Sequence, residues 1–136
     1  MVNQNIFLIF AKTTYIKCNL KFYLVNITFQ NKKLEDEANN DKKCIKELGK
    51  IRAKLYKLRL SQLSAAETLE DVRFLPSNYH ELTGNRKGQW ACDLDQPYRL
   101  IFEPHEDPIP IDQSGKYLWI EIKGVEIVEI INYHGK

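Results

Sequence analysis

Two neighbouring stretches of the sequence decide the fold: YHELTGNRKGQW at residues 79–90 and PYRLIF at residues 97–102. At residues 89–94 and 98–102, one set of alternate positions is apolar, which is typical of strands with one buried face. The first of these strands follows a basic turn bounded by two glycines, and a short strand at residues 78–82 precedes that turn. The pattern therefore predicts consecutive antiparallel strands joined by tight turns.

The same region collects residues suited to work on a phosphodiester. Imidazole transfers protons near neutral pH because its unperturbed pKa is about 6.5, and a guanidinium can donate two hydrogen bonds to one phosphate. The histidines show no metal-ligand spacing, so we expect neither a metal nor another cofactor. The candidate residues are His80, Arg86 and Lys87 in the basic turn, Arg99, and His134 near the end of the chain.

Each candidate also has an ordinary structural explanation. His80 beside Glu81 could be a hydrogen-bonded histidine at a strand end, and His134 could be a frayed surface residue. A basic turn is usually a solvated hairpin tip. Arg99 stands apart, because an arginine between apolar neighbours on a strand requires a partner.

The remaining elements are predicted from the periodicity of apolar residues and from residues that cap or end helices. Residues 24–29 alternate as a first strand, and Asn31 is placed to cap a helix that should end at Gly49. A second helix is expected from Lys50 to Ala66, and the two helices should form an antiparallel hairpin. Residues 68–76 are expected to be a connection.

The C-terminal part of the chain is predicted to complete the sheet. Residues 104–115 hold three of the five prolines and are expected to form a loop, with a short strand at residues 117–122. Residues 125–131 are apolar on both faces, as in a central strand. The predicted fold is α+β in the order β-α-α-β-β-β plus the inserted loop, with the helix hairpin packed on one face of a small, mostly antiparallel sheet. The opposite face is expected to be open.

Length and composition limit the class of protein. The chain has 136 residues and a formal net charge of +2, which suits one ordinary globular domain and does not by itself indicate a nucleic-acid partner. Between Lys42 and Arg59, however, the only acid is Glu47, and this basic stripe could contact nucleic acid or be a solvated helix face. Lys54 and Lys57 are the candidate phosphate-binding residues within the stripe.

The cysteines and the N-terminal segment indicate a cytoplasmic protein. Cys18, Cys44 and Cys92 form no disulfide framework, and Cys44 and Cys92 are expected in the core. The apolar run at residues 6–10 is too short for a signal sequence or a membrane span. We expect residues 1–23 to be a disordered or dispensable extension and residues 24–136 to be the functional domain.

The element order, the His-Glu-Leu-x-Gly-x-x-Lys-Gly-x-Trp motif from His80, the Pro-Tyr-Arg-Leu-Ile-Phe motif and the terminal Tyr-His together resemble the RelE/ParE toxin superfamily. The chain is most similar to its HigB-like "killer protein" branch, from about residue 24 to residue 136. The resemblance implies a ribosome-dependent endoribonuclease of a type II toxin–antitoxin system, which would cut translated mRNA and inhibit translation. It also implies a helix-turn-helix, HigA-like antitoxin, through which alone the toxin would reach operator DNA.

The resemblance also assigns roles to residues. His80, Arg99, Tyr133 and His134 would be catalytic, and Arg86 and Lys87 would bind phosphates. The two histidines would share the roles of base and acid. Asn132 stands where relatives often carry an aspartate, so it can form a hydrogen bond but supplies no charge.

Two other functions are compatible with the same fold, because fold alone does not decide function. The first is a ParE-like toxin that inhibits DNA gyrase by binding, without nuclease activity. The second is a degenerate toxin that serves only to bind an antitoxin. The histidines favour the nuclease, since a pure inhibitor needs no groups for proton transfer.

Overall fold

The computed structural model describes residues 24–133. Its elements in chain order are strand β1 (Asn26–Phe29), helices α1 (Lys32–Asn39), α2 (Asp41–Leu48), α3 (Lys50–Ala65) and α4 (Leu69–Val72), and strands β2 (His80–Glu81), β3 (Trp90–Asp93), β4 (Tyr98–Pro104) and β5 (Gly124–Asn132). Short 3₁₀ turns lie at Gly84–Arg86 and Trp119–Glu121. The α+β fold predicted from the sequence is confirmed. The predicted N-terminal extension at residues 1–23 and His134 lie outside the described residues.

The five strands form one sheet in the order β1-β5-β4-β3-β2. Strand β1 runs parallel to β5, and the other neighbouring pairs are antiparallel. Strand β5 therefore lies inside the sheet, as its two-sided apolar sequence predicted. The short strand β2 forms the edge nearest the basic turn.

The four helices of the described residues all contribute side chains to a core on one face of this sheet. Trp90, Leu100 and Ile127 project from the strands into that core and are fully buried. Tyr56 on α3 is also fully buried, and its hydroxyl donates to the backbone carbonyl of Leu34 on α1 at 2.9 Å. This hydrogen bond satisfies the hydroxyl while the ring ties two helices together.

The first predicted helix is broken into two. Asn31 caps α1 as predicted, since its side chain accepts from the amide of Leu34 at 3.0 Å. Asn40 then adopts an extended conformation, ends α1, and caps α2 by accepting from the amide of Lys43 at 3.0 Å. Asparagine competes for backbone hydrogen bonds in this way, so it favours helix ends over helix interiors.

Two further local predictions were wrong. Residues 69–72 form the short helix α4, not a plain connection, and Thr68 and Asp71 make a reciprocal capping box at its start. The strand predicted at residues 117–122 is a single bridge between Ile111 and Tyr117 followed by a 3₁₀ turn. Trp119 in that turn packs edge-on against Trp90, with ring centroids 5.5 Å apart, so burial of the aromatic ring determines the local conformation.

The basic stripe predicted between Lys42 and Arg59 is not one continuous surface. Arg59 is only 7% exposed, and its Nε donates to the backbone carbonyl of Asp93 at 2.7 Å. Arg52 forms a two-pronged ion pair with Asp95, at 3.0 Å for each contact, and its guanidinium lies over the ring of Tyr98. These two arginines hold α3 against the ends of β3 and β4.

Within residues 24–133, none of the helices has the length and apolar character needed to cross a bilayer.

Candidate functional site

The sheet face turned away from the described helices carries His80 and Arg99. We call it the polar sheet face and define it by His80, Ala91, Asp93, Arg99, Ile101, Glu129 and Ile131. Residues that pair across neighbouring strands form a row. Side chains two residues apart on one strand share a face, so two adjacent rows lie on this face. One row runs His80, Ala91, Ile101, Glu129, and the next runs Asp93, Arg99, Ile131.

His80 lies at the edge of this face and is partly exposed. Its Nδ1 is 2.7 Å from the backbone carbonyl oxygen of Asn78. A carbonyl oxygen can only accept a hydrogen bond, so Nδ1 must carry the proton. In the neutral ring Nε2 then has the free lone pair, and it can accept a proton from a substrate.

Arg99 is held on the face by a carboxylate and an aromatic ring. Its Nε is 2.9 Å from Oδ1 of Asp93, although the N–H is not aligned well enough to count as a hydrogen bond. Its guanidinium carbon lies 4.6 Å from the centroid of the Tyr133 ring, a cation–π geometry. The Arg99 side chain is 19% exposed, so it reaches the surface in a restricted orientation.

Tyr133 is positioned by the end of the neighbouring turn. Its backbone amide donates to the carbonyl of Pro97 at 3.1 Å, directly after Asn132 pairs with Tyr98. The structure thus brings the Tyr133 ring to the Arg99 guanidinium.

Arg86 reaches from the basic turn to β5. One terminal nitrogen donates to Oε1 of Gln89 on the approach to β3, and the other donates to Oε2 of Glu129 on β5, both at 2.7 Å. Between those two acceptors lies β4, where Ile101 is fully buried. The Arg86 side chain therefore connects the approach to β3 with β5 across β4.

Lys87, beside Arg86, has a different environment. It is exposed, and its Nζ lies 5.5 Å from the centroid of the Tyr117 ring in the loop between β4 and β5. The following residue, Gly88, has a φ of 97°, which L side chains rarely adopt, so this turn depends on glycine. Through Tyr117, the loop between β4 and β5 lies beside the basic turn.

Lys54 and Lys57 are not on this face. Both lie on α3 in the helical layer, beside a groove of about 810 Å³ between α2 and α3 whose lining is mostly apolar. Lys57 forms an ion pair with Asp41, and Lys54 is exposed. The sheet therefore separates these two lysines from His80 and Arg99.

The strand register gives the separation of His80 and Arg99. They are two strands apart and offset by two residues along the strands. Strand spacings of about 4.8 Å and a rise of about 3.4 Å per residue separate their backbones by roughly 12 Å. Side chains that lean toward each other over Asp93 can span much of that distance.

Sequence reasoning missed the carboxylates of the site and the turn before His80. Asp93 and Glu129 pair with the two arginines, and Ser77 and Asn78 both have positive φ, at 93° and 60°. The alternation at residues 89–94 does place Asp93 on the same face as Ala91. Its partner, however, lies on another strand, and pairing across strands requires the register.

The described cysteines play no part in this site. Cys44 and Cys92 are fully buried, as predicted. Burial raises the pKa of the Cys44 thiol to about 11 and that of the Cys92 thiol to about 12. Both remain protonated near neutral pH and are poor nucleophiles.

Comparison with known protein families gives one match. Residues 27–112 match the family described as HigB-like toxin, the RelE-like toxin HigB of a type II toxin–antitoxin system. No curated protein matches the chain. The matched segment spans β1 to the loop after β4 and includes His80, Arg86, Lys87 and Arg99.

Proposed function

The chain belongs to the HigB-like family of RelE-like toxins, and from that membership we propose that it is a ribosome-dependent endoribonuclease that cleaves translated mRNA. It is a toxin of a type II toxin–antitoxin system, which implies a neutralising antitoxin as its partner. We propose a helix-turn-helix, HigA-like antitoxin, with operator DNA reached only through it. Cleavage would occur in the cytoplasm, where ribosomes translate.

One observation carries the nuclease proposal. A histidine with an available Nε2 and an arginine stacked on a tyrosine share a sheet face that none of the described helices covers. A toxin that acts only by binding gyrase has no need for a proton acceptor beside a restrained guanidinium. The fold is compatible with either activity, so the nuclease proposal is supported by this chemistry and not by the fold.

The proposed reaction is an internal transfer at the scissile phosphate. An imidazole accepts the proton of the 2′ hydroxyl, and the 2′ oxygen attacks phosphorus. The bond from phosphorus to the 5′ oxygen breaks, and that oxygen takes a proton from the second acid. The products are a 2′,3′-cyclic phosphate and a 5′ hydroxyl, with no change of oxidation state.

The cations would stabilise the charge on the phosphorane. Arg99 is the proposed ligand of the scissile phosphate, and Lys87 with Arg86 would bind flanking phosphates. Arg86 would have to exchange Glu129 for the substrate. Tyr133 would stack on a base or donate its hydroxyl to phosphate, while His134 shares the proton transfers with His80. Lys54 and Lys57 would contact phosphates away from the site, for example on ribosomal RNA.

The experiment is induction of the protein in cells that carry a reporter message with or without its start codon. Primer extension should show cuts only on the translated message, and a His80→Ala variant should not produce them. Equal cuts on both messages would mean that cleavage does not require translation by the ribosome. Blocked gyrase supercoiling without cuts would favour the ParE-like alternative, and antitoxin binding without either effect would indicate a degenerate toxin.

A further inference from the structure

We propose that the turn at Ser77–Asn78 is a positioning device that fixes the His80 ring with its proton on Nδ1 and ties it to the Asp93–Arg99 pair. The catalytic meaning of this proposal rests on the proposed RNA cleavage. The position of the proton on the His80 ring is independent of RNA cleavage, because the protonated nitrogen of a histidine can be observed without substrate.

The backbone of the turn is unusual. Ser77 has a φ of 93° and Asn78 a φ of 60°, two consecutive left-handed residues without a glycine. Asparagine tolerates this region, whereas serine rarely adopts it. Such conformations persist only where the surrounding structure holds them, and they cluster at functional sites. Here the carbonyl of Ser77 accepts from the amide of Asp93 at 2.9 Å, which joins the turn to the end of β3.

The backbone of Asn78 determines the tautomer of His80. The left-handed turn directs the Asn78 carbonyl back to His80 Nδ1, two residues later, at 2.7 Å. Free neutral histidine in water prefers its proton on Nε2, so this hydrogen bond selects the less common form. The nitrogen left without a proton, Nε2, is then the acceptor for the 2′ hydroxyl. His80 is thereby assigned as the base, and the acid must be another group.

The side chain of Asn78 connects to the phosphate-binding part of the site. Its Nδ2 lies 3.4 Å from Oδ1 of Asp93, and the same oxygen is 2.9 Å from Nε of Arg99. One residue therefore contacts the proton-transfer group through its backbone and the partner of the arginine through its amide. A turn that served only to connect α4 to β2 would need neither contact.

The first test is nitrogen NMR of the imidazole rings in the full-length protein at alkaline pH, where histidine is neutral. The His80 signals are assigned as those missing from a His80→Gln variant, and His105 serves as an internal comparison. We expect His80 to show the pattern of a ring protonated on Nδ1. A ring protonated on Nε2 would overturn the proposal, whatever the protein does to RNA.

The second test separates the two contacts of Asn78. Asn78→Gly keeps the backbone carbonyl and permits positive φ but removes the amide. We expect the His80 tautomer to persist and the Nε–H resonance of Arg99 to shift. We also expect the ribosome concentration for half-maximal cleavage to rise about fivefold, as for the loss of one hydrogen bond.

Asn78→Asp puts a second carboxylate beside Asp93 and should shift the same Arg99 resonance. Asn39→Asp is the matched control, because it makes the same change at an exposed position in the helical layer and should leave that resonance in place. Unchanged Arg99 resonances in both Asn78 variants would overturn the link to the Asp93–Arg99 pair. If RNA cleavage is absent altogether, the NMR results still decide the positioning role, so the two failures are distinguishable.

Discussion

The candidate arginines at the polar sheet face and the candidate lysines of α3 in the helical layer are held differently. Arg86 and Arg99 on the sheet face each pair with a carboxylate, and their side chains are 33% and 19% exposed. On α3, Lys54 is exposed and Lys57 pairs with the exposed Asp41. Restrained guanidinium groups can bind one phosphate in a defined geometry, whereas exposed lysines attract any polyanion. The difference suggests that the sheet face performs the chemistry and that the helical layer contributes to encounter.

The largest effect should come from Arg99→Ala. It removes the charge nearest the proposed phosphate, and arginines that stabilise phosphoryl transition states contribute roughly 10³–10⁵ in rate. Arg99→Lys should recover only part of the loss, because an ammonium cannot reproduce the planar fork. Single-turnover cleavage on programmed ribosomes is the measurement. Thermal melts of both variants should stay near wild type because the side chain lies at the surface.

His80→Ala and His134→Ala should each slow cleavage by roughly 10²–10⁴, the range for general acid–base groups. Both variants should still bind antitoxin, which would separate lost chemistry from a lost fold. If both cleave like wild type in the same single-turnover assay, proton transfer by these histidines is excluded. Catalysis would then rest on cations and substrate distortion.

A smaller effect, of opposite sign, is expected for Glu129→Gln. The charged partner of Arg86 is replaced by a neutral one, so less electrostatic attraction must be overcome when RNA takes its place. Half-maximal cleavage should occur at a ribosome concentration about threefold to tenfold lower, which corresponds to about 1 kcal/mol of binding free energy. Glu47→Gln on α2 is the control, since it removes the same charge at an exposed site on the helical layer. Weaker binding in Glu129→Gln would mean that Glu129 orients Arg86 productively.

Lys54→Ala with Lys57→Ala should raise the half-maximal ribosome concentration by only a few-fold, and the effect should shrink as salt increases. The cleavage rate at saturating ribosomes should be unchanged. Titrations at two salt concentrations provide the check. A salt-independent loss would mean that these lysines make a specific contact.

Removal of residues 1–23 should have the smallest effect, because residues 24–29 already supply the first strand. Toxicity and the thermal midpoint should remain close to those of the full chain. A midpoint lower by several degrees, equivalent to about 1 kcal/mol for a domain of this size, would show that the segment stabilises the fold.

Much of the fold could be predicted because its signals are local. Alternation identified β3 and β4, two-sided apolarity identified the interior strand β5, and Gly49 correctly marked the start of α3. The errors occurred where a local sequence signal fitted two structures, or where a contact with a residue distant in the sequence determined the conformation. Asn40 could lie inside a helix or cap one, and packing of Trp119 against Trp90 replaced a predicted strand.

The site was less predictable than the fold. His80, Arg99 and Tyr133 were named from the sequence, and the structure brings Arg99 and Tyr133 together on the same side of the sheet as His80. Their roles remain predictions. The partners that restrain the cations were not foreseen, since Arg86 and Glu129 are 43 residues apart and meet because β3, β4 and β5 are neighbours in the sheet.

The most direct test of the proposed division between the two regions compares two variants on the same programmed ribosomes at saturating concentration. The single-turnover rate of Arg99→Ala should fall at least 10²-fold, the loss expected when a key transition-state donor is removed. The rate of the Lys54→Ala, Lys57→Ala double variant should stay within about twofold of wild type, because long-range attraction no longer matters once ribosomes saturate. Equal losses in both variants, or a larger loss in the lysine variant, would contradict the assignment of the chemistry to the polar sheet face.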